Sequence, residues 1–352
     1  MTTYGSINDD TAIGIGADAD WSDILPTSPV NTPPASASPS VTQPAMRESL
    51  AQRRRGIIKR CTDVAKSAGK RLLFGMTTSL ALQSVPLPDG CDPALPVLHT
   101  VSSNDDRRTR LADPSVKAHI WHPIAQYPDA NVCINKHVYA LDLFHTWAQL
   151  ANHLTLESMI VLGDAIITAT SRQAMLAQGR DVSAIHRDLV GFTDTLPKFR
   201  GNRTCRNAVM LIRAGVDSPT ESRIRLSLLR HGLPDMTLNH VVPGAMFRSG
   251  TPMTLDLAWP EHQVAVEYDG DHHRTDKTQW RRDQEKRDRL RSRGWLIFIA
   301  TGATLVDAGA RAELAFHVAR ALMTRGAEFP FRVLEAPSEL VAKEARKRTM
   351  QQ

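Results

Sequence analysis

Apolar and polar positions follow three different patterns along the chain. Residues 1–45 are rich in Ser, Thr, Pro, Ala and Asp, and "PTSPVNTPPASASPSVTQP" is almost free of large apolar side chains. Such a segment buries too little to offset its ordering entropy and is expected to be disordered. From Met46 the spacing becomes helix-compatible through "RESLAQRRRGIIKRCTDVAKSAG" and "TTSLALQSVPLP", where Pro86 and Pro88 stop the run. Residues 46–94 are therefore predicted to form a small helical module, and its basic helices suit nucleic-acid binding. Across 95–200 the short runs "VLHTVS", "AHIWHP", "NVCIN" and "VYAL" predict strands, and "DLFHTWAQLANHLTLESMIVLGDAIITATS" predicts one or two amphipathic helices. His145 and His153 within them are expected to be core or surface histidines rather than metal ligands.

The segment 201–330 carries the chemistry. "DSPTESRIRLSLLRHGLP" has Asp217 or Ser218 as a helix cap, Pro219 in the first turn, and Gly232 and Pro234 at the end. Glu221 falls in that first turn, where the helix dipole favours a carboxylate. Period-two alternation comes next, in "MTLDLAWP" and "VAVEYD". With Pro260 to Gln263 as a hairpin loop, Trp259 pairs with Val264, and counting back sets Asp256 opposite Glu267 and Thr254 opposite Asp269. Three carboxylates then share one face, and like charges so close need a compensating cation. Mg²⁺, or Mn²⁺ in its place, is held by one or two carboxylates plus waters and phosphate oxygens.

Beyond the strand, "GDHH" offers His272 or His273 as a proton acceptor for an attacking water. "TQWRRDQEKRDRLRSRGW" predicts a helix closed by Gly294, with an Asp283–Arg287 pair four residues apart. Arg281, Arg282, Lys286, Arg289 and Arg293 on it are available for phosphates. "WLIFIA" then reads as a buried strand of a mixed sheet. Residues 331–352 are expected to be a basic tail, either an exposed helix or disordered.

Composition adds a modest bias. The 352 residues carry a formal net charge of +6, which suits a polyanionic partner without requiring one. Four scattered cysteines form no CxxC pair, so neither a disulfide framework nor a zinc knuckle is expected. The sequence has neither a secretory signal nor a run of eighteen apolar residues, which predicts a cytoplasmic protein with no membrane partner.

The order helix with Glu, strand with Asp, strand with ExD, DGxHH, basic helix, GW and apolar strand resembles the very-short-patch-repair-like endonuclease domain of the PD-(D/E)XK superfamily, over residues 215–325. "FGMTTSLALQSVPLP" resembles the N-terminal region of AbiEi-type antitoxins joined to such domains in actinobacterial proteins. The resemblance implies an α/β (α+β) fold with a restriction-endonuclease-like central mixed sheet flanked by helices. It also implies a Mg²⁺-dependent endonuclease acting on DNA. In that assignment Asp256 and Glu267 are metal ligands, Asp269 stands where the superfamily name has Lys, Glu221 is the acid of the first core helix, and a histidine assists. The alternative is a catalytically inactive DNA-binding regulator or antitoxin-like protein, with a toxin or regulatory partner. Oligomeric state stays open.

Overall fold

Buried Ile57, Cys61 and Ala65 recur every four residues along α1 (Met46–Ser67), which gives the helix one apolar stripe. In the computed structural model, which describes residues 46–87, 97–269 and 277–351, that stripe packs on Leu72, Phe74, Leu98, Val138 and Ala140 of a first sheet. The predicted N-terminal disorder and the "GDHH" histidines lie outside the described residues. So does the link from residue 88 to residue 96.

Within the segment expected to be helical, β1 (Leu72–Phe74) is a strand that precedes α2 (Met76–Leu82). Three residues are too short to show a period. The expected strands are present as β2 (Leu98–Ser102), β3 (Val116–Ile120), β4 (Asn131–Cys133) and β5 (Val138–Leu141). With β1 they make a five-stranded sheet ordered β3-β2-β1-β5-β4. It is mixed, since β1 runs parallel to β5 and antiparallel to β2.

Helices then accumulate: α3 (Leu143–Leu150), α4 (Leu156–Ser171), α5 (Ala174–Ala177), α6 (Val182–Thr195), α7 (Asn202–Ala208) and α8 (Pro219–Arg230). Asp142, Thr155 and Asp181 cap α3, α4 and α6 by accepting from backbone N–H groups three residues on. Helix α4 is buried almost all round, and its Asp164 is 1% exposed. Asp164 Oδ2 accepts from Ser222 Oγ at 2.7 Å and from Arg225 Nη2 at 2.8 Å, while Oδ1 accepts from the Arg213 N–H at 2.8 Å. These bonds lock α8 to α4.

The second sheet contains β6 (Thr237–Met246), β7 (Pro252–Trp259), β8 (Val264–Asp269) and β9 (Leu296–Thr301), in that order. Neighbours are antiparallel except β8 and β9, which run parallel and are joined by a crossover containing α9 (Lys277–Arg291). On one face Trp259, Val264 and Val266 join Ala315, Val318 and Leu322 of α11 (Ala308–Thr324), which comes after the short α10 (Gly302–Val306). The other face sets Ala258 and Ala265 against Leu290 of α9 and Trp295. Small side chains there let α9 approach closely.

Both sheets belong to one unit, residues 43–352. The architecture is mixed α/β, two mixed sheets flanked by helices. The C-terminal segment departs from the expected exposed helix or disorder. Helix α12 (Ser338–Thr349) is docked, with Val341, Ala342 and Ala345 buried in the main core. No helix among the described residues is long and apolar enough to cross a membrane.

Candidate acidic site

Glu221 is held by the cap of α8. Ser218 Oγ accepts from the Glu221 N–H at 3.2 Å and donates to Glu221 Oε1 at 2.8 Å, and the Asp217 N–H donates to Oε2 at 3.0 Å. This is a capping arrangement in its own right. Burial nevertheless pushes the Glu221 carboxyl up to about 7, helped by the nearby Asp256 charge and opposed by the Ser218 and Asp217 hydrogen bonds.

The β7–β8 hairpin has the expected register, with Trp259 opposite Val264, Ala258 opposite Ala265 and Leu257 opposite Val266. A 3₁₀ turn at Pro260–His262 and left-handed Gln263 (φ 50°) close it. The ladder ends there, and the expected pairing of Asp256 opposite Glu267 and Thr254 opposite Asp269 does not continue it. Asp256 Oδ2 instead accepts from the Tyr268 N–H at 3.0 Å. A side chain thus replaces the backbone acceptor where the strands part. Burial raises the Asp256 pKa above the ordinary value, against the lowering effects of the Tyr268 bond and of Lys286.

Glu267 is 8% exposed. Its carboxylate accepts from Lys286 Nζ, and the pair buries two opposite charges side by side. Burial still raises the Glu267 pKa, Lys286 lowers it, and the Asp256 charge raises it again. Asp269, one pleat further on, accepts from Arg287 Nη2 at 3.2 Å. Helical spacing alone predicts Asp283 as the partner of Arg287.

The basic helix is therefore only partly available to a ligand. Lys286 is engaged with Glu267. Arg289 Nη1 donates to the Met246 carbonyl, and Arg293 Nη1 donates to the Pro243 carbonyl at 2.9 Å. Both arginines serve the irregular end of β6, where the β6–β7 register shifts between Val241 and Met246 and leaves carbonyls off the ladder. Arg282 lies over the Phe247 ring at 4.4 Å, with Arg281 exposed beside it. Arg281 and Arg282 remain the outward-facing cations of the expected phosphate set.

Glu221, Asp256 and Glu267 thus come from three elements, with the Asp256 charge reaching both glutamates and Lys286 acting as a cation on Asp256 and Glu267. Charge patterning along α9 makes Lys286 a phosphate contact. Its place beside a buried acid is signalled only by the crossover helix having to pack on the strand that carries Glu267. Asp256 and Glu267 offer the hard oxygen donors that Mg²⁺ or Mn²⁺ takes. Among the described residues no three or more His, Cys, Asp or Glu side chains are grouped to hold a metal ion. Mg²⁺ needs only one or two carboxylates when waters and a substrate phosphate complete its shell, so the donor chemistry fits.

No established protein family matches the chain, and no solved structure matches it. Two curated proteins are similar to it: the uncharacterized proteins MT2308 and Rv2248 of Mycobacterium tuberculosis, each 27% identical over 126 residues. The similarity takes in 35% of this chain and 45% of each relative, so the chain spans less than half the length of the curated relatives it matches.

Proposed function

We propose that the acidic site belongs to a metal-dependent endonuclease with a restriction-endonuclease-like fold that hydrolyses DNA phosphodiester bonds. The observation that carries this reading is the burial of Glu221, Asp256 and Glu267 together, with carboxyl pKa values all raised and each acid within reach of another's charge. Perturbed acids gathered where the two central strands of a sheet part make a candidate for chemistry.

Asp256 and Glu267 would hold the ion, which supplies positive charge to a phosphate undergoing displacement. Lys286 would leave Glu267 to face the same phosphate. Glu221, protonating near neutral pH, would hold or release a proton at its carboxyl. Arg281 and Arg282 would position the backbone of the nucleic acid. His272 and His273 remain the sequence candidates for proton transfer from water.

Purified protein incubated with plasmid and single-stranded DNA in Mg²⁺, Mn²⁺ or EDTA tests the reading, beside Asp256→Ala and Glu267→Ala. Metal-dependent cutting lost in both variants supports it. DNA binding without cutting, equal in wild type and variants, overturns it.

The Lys286–Glu267 pair favours a second reading, because an ammonium already meets the charge demand of the buried acid. In that case the nuclease fold is a platform for an inactive DNA-binding regulator, antitoxin-like in its N-terminal region, with a toxin as partner. It predicts that Arg53 to Arg55 govern DNA binding and that Asp256→Ala does not.

A further inference from the structure

The Arg-rich link "KFRGNRTCRNA" and the basic run "KEARKR" near the end of the chain lie far apart in sequence, and the fold brings them together. Helix α7 takes up most of the first and α12 all of the second. Cys205 and Ala208 of α7 are buried in the same core as Val341, Ala342 and Ala345 of α12. Arg346 closes the contact, its Nη2 donating to the Arg206 carbonyl, 140 residues away in sequence, at 3.0 Å and to Asn207 Oδ1 at 3.3 Å. That sets a cation at the C-terminal end of α7, where the helix dipole favours one.

Between the two helices runs a groove walled by Arg203, Arg206, Lys343 and Arg346, with Glu339 as its one acid among the described residues. All four cations are exposed. The side chains of Arg203, Arg206 and Lys343 make no hydrogen bond or ion pair among the described residues, and neither does Glu339, although it sits one turn before Lys343. Glu344, the next acid of α12, accepts instead from Arg332 Nη2 at 2.7 Å. Docking α12 on α7 therefore gathers like charges without neutralising them.

A single basic helix face is ordinarily only a solvated surface. Two features distinguish this groove. Around α9, Lys286, Arg289 and Arg293 are spent on internal partners, whereas three of the four groove cations are unspent. The second feature is spacing. Arg203 and Arg206 stand three residues apart on α7, as do Lys343 and Arg346 on α12, so each helix presents a row with about 5–6 Å between neighbouring side chains. A single anion needs only one or two of these cations, but a nucleic-acid backbone meets both rows at once. Duplex DNA carries one charge per about 1.7 Å of axis, a fixed repeat that an acidic peptide lacks.

We propose that the α7–α12 groove binds the phosphate backbone of duplex DNA, as a contact surface separate from the acidic site and from Arg281 and Arg282. It rests on the nucleic-acid part of the proposed function and not on cleavage. Contacts of this kind position the duplex without reading its sequence.

Fluorescence anisotropy of a labelled duplex of about 20 base pairs, titrated with the full-length protein in EDTA at several NaCl concentrations, tests this. Arg203→Ala/Lys343→Ala removes one exposed cation from each wall, and Arg110→Ala/Arg320→Ala removes two exposed cations elsewhere. The groove variant is expected to bind about ten-fold or more weakly and to flatten the slope of log K against log [NaCl] by about 2, while the control variant leaves both close to wild type. Affinity and slope unchanged in the groove variant overturn the proposal, as do equal losses in the control. So does the absence of DNA binding by wild type at about 10 μM protein in about 50 mM NaCl. Poly-glutamate that binds more tightly than the duplex overturns it in favour of an acidic protein partner. Plasmid cleavage in Mg²⁺ is scored separately. Binding lost in the groove variant of a protein that never cuts keeps the groove and removes the nuclease, and cutting by a protein whose binding ignores the groove does the reverse.

Discussion

Lys286 Nζ donates to Glu267 across the interface between a crossover helix and the strand that precedes it, with the two side chains only 15% and 11% exposed. A pair this buried stabilises little as a unit, but removing one member strands the other. Lys286→Met is expected to lower stability by about 2–4 kcal/mol in EDTA. If the acids hold a divalent ion, Mg²⁺ should raise the melting temperature of the variant more than that of wild type. Equal Mg²⁺ shifts in differential scanning fluorimetry would argue against ion binding by Glu267.

Glu221 predicts a pH dependence of known sign. Its carboxyl is raised from 4.5 to about 7 on folding, so the folded state prefers the proton. The stabilising effect of that proton is complete below about pH 4.5, and it is lost as pH rises through about 7. Glu221→Gln mimics the neutral form and keeps a side chain suited to the cap. Its melting temperature should exceed that of wild type by an amount that opens between these pH values and then stays constant. A gap that widens toward acid pH would reverse the assignment.

Asp164 and Arg225 connect α4 to α8 through a pair that is 1% and 0% exposed. Arg225 Nε and Nη1 have no further partner among the described residues, so the guanidinium depends on this carboxylate. Asp164→Asn should cost about 3–5 kcal/mol in urea denaturation, whereas Asp164→Leu/Arg225→Leu should recover much of that loss. A single substitution that proves neutral would mean the interior hydrates the freed charge.

The docking of α12 makes its own forecast. Val341 is 3% exposed and faces the main core. Val341→Asp should destabilise the protein by about 3 kcal/mol or more, since it buries an unpaired charge. Lys347→Ala on the exposed side should be neutral within about 0.5 kcal/mol. Comparing their melting temperatures separates a docked helix from a free tail.

The β7–β8 hairpin was legible because period-two alternation, Pro260 and a four-residue turn all pointed to one register. The Asp256–Tyr268 bond was not, because a carboxylate that caps a strand's N–H leaves no mark on alternation. Strand β6 is hidden for a related reason. It includes Pro243 and Gly244 and leaves Val241 53% exposed, so its pattern is that of a loop. The docking of α12 is masked by composition, since two of its three buried core contacts are alanines among charged residues. Charge repulsion along the hairpin singles out Asp256, Glu267 and Asp269, whereas Glu221 joins them only through the family resemblance, and the cation that answers them depends on how a helix crosses a sheet.

The parallel pairing of β8 with β9 sets a length rule for the segment between them. A parallel neighbour demands a return crossing, and α9 makes it with Lys286 and Arg287 meeting Glu267 and Asp269. One residue added to the helix before Lys286 rotates the upstream turns by about 100° against the downstream ones. If the C-terminal end of α9 stays anchored through Leu290, the ammonium keeps its place and the change is passed to the loop. Added between Arg287 and Leu290, the same residue swings both cations off the strand. The tolerance of this crossover to insertion should therefore be one-sided, permissive before its first turn and closed between Arg287 and Leu290.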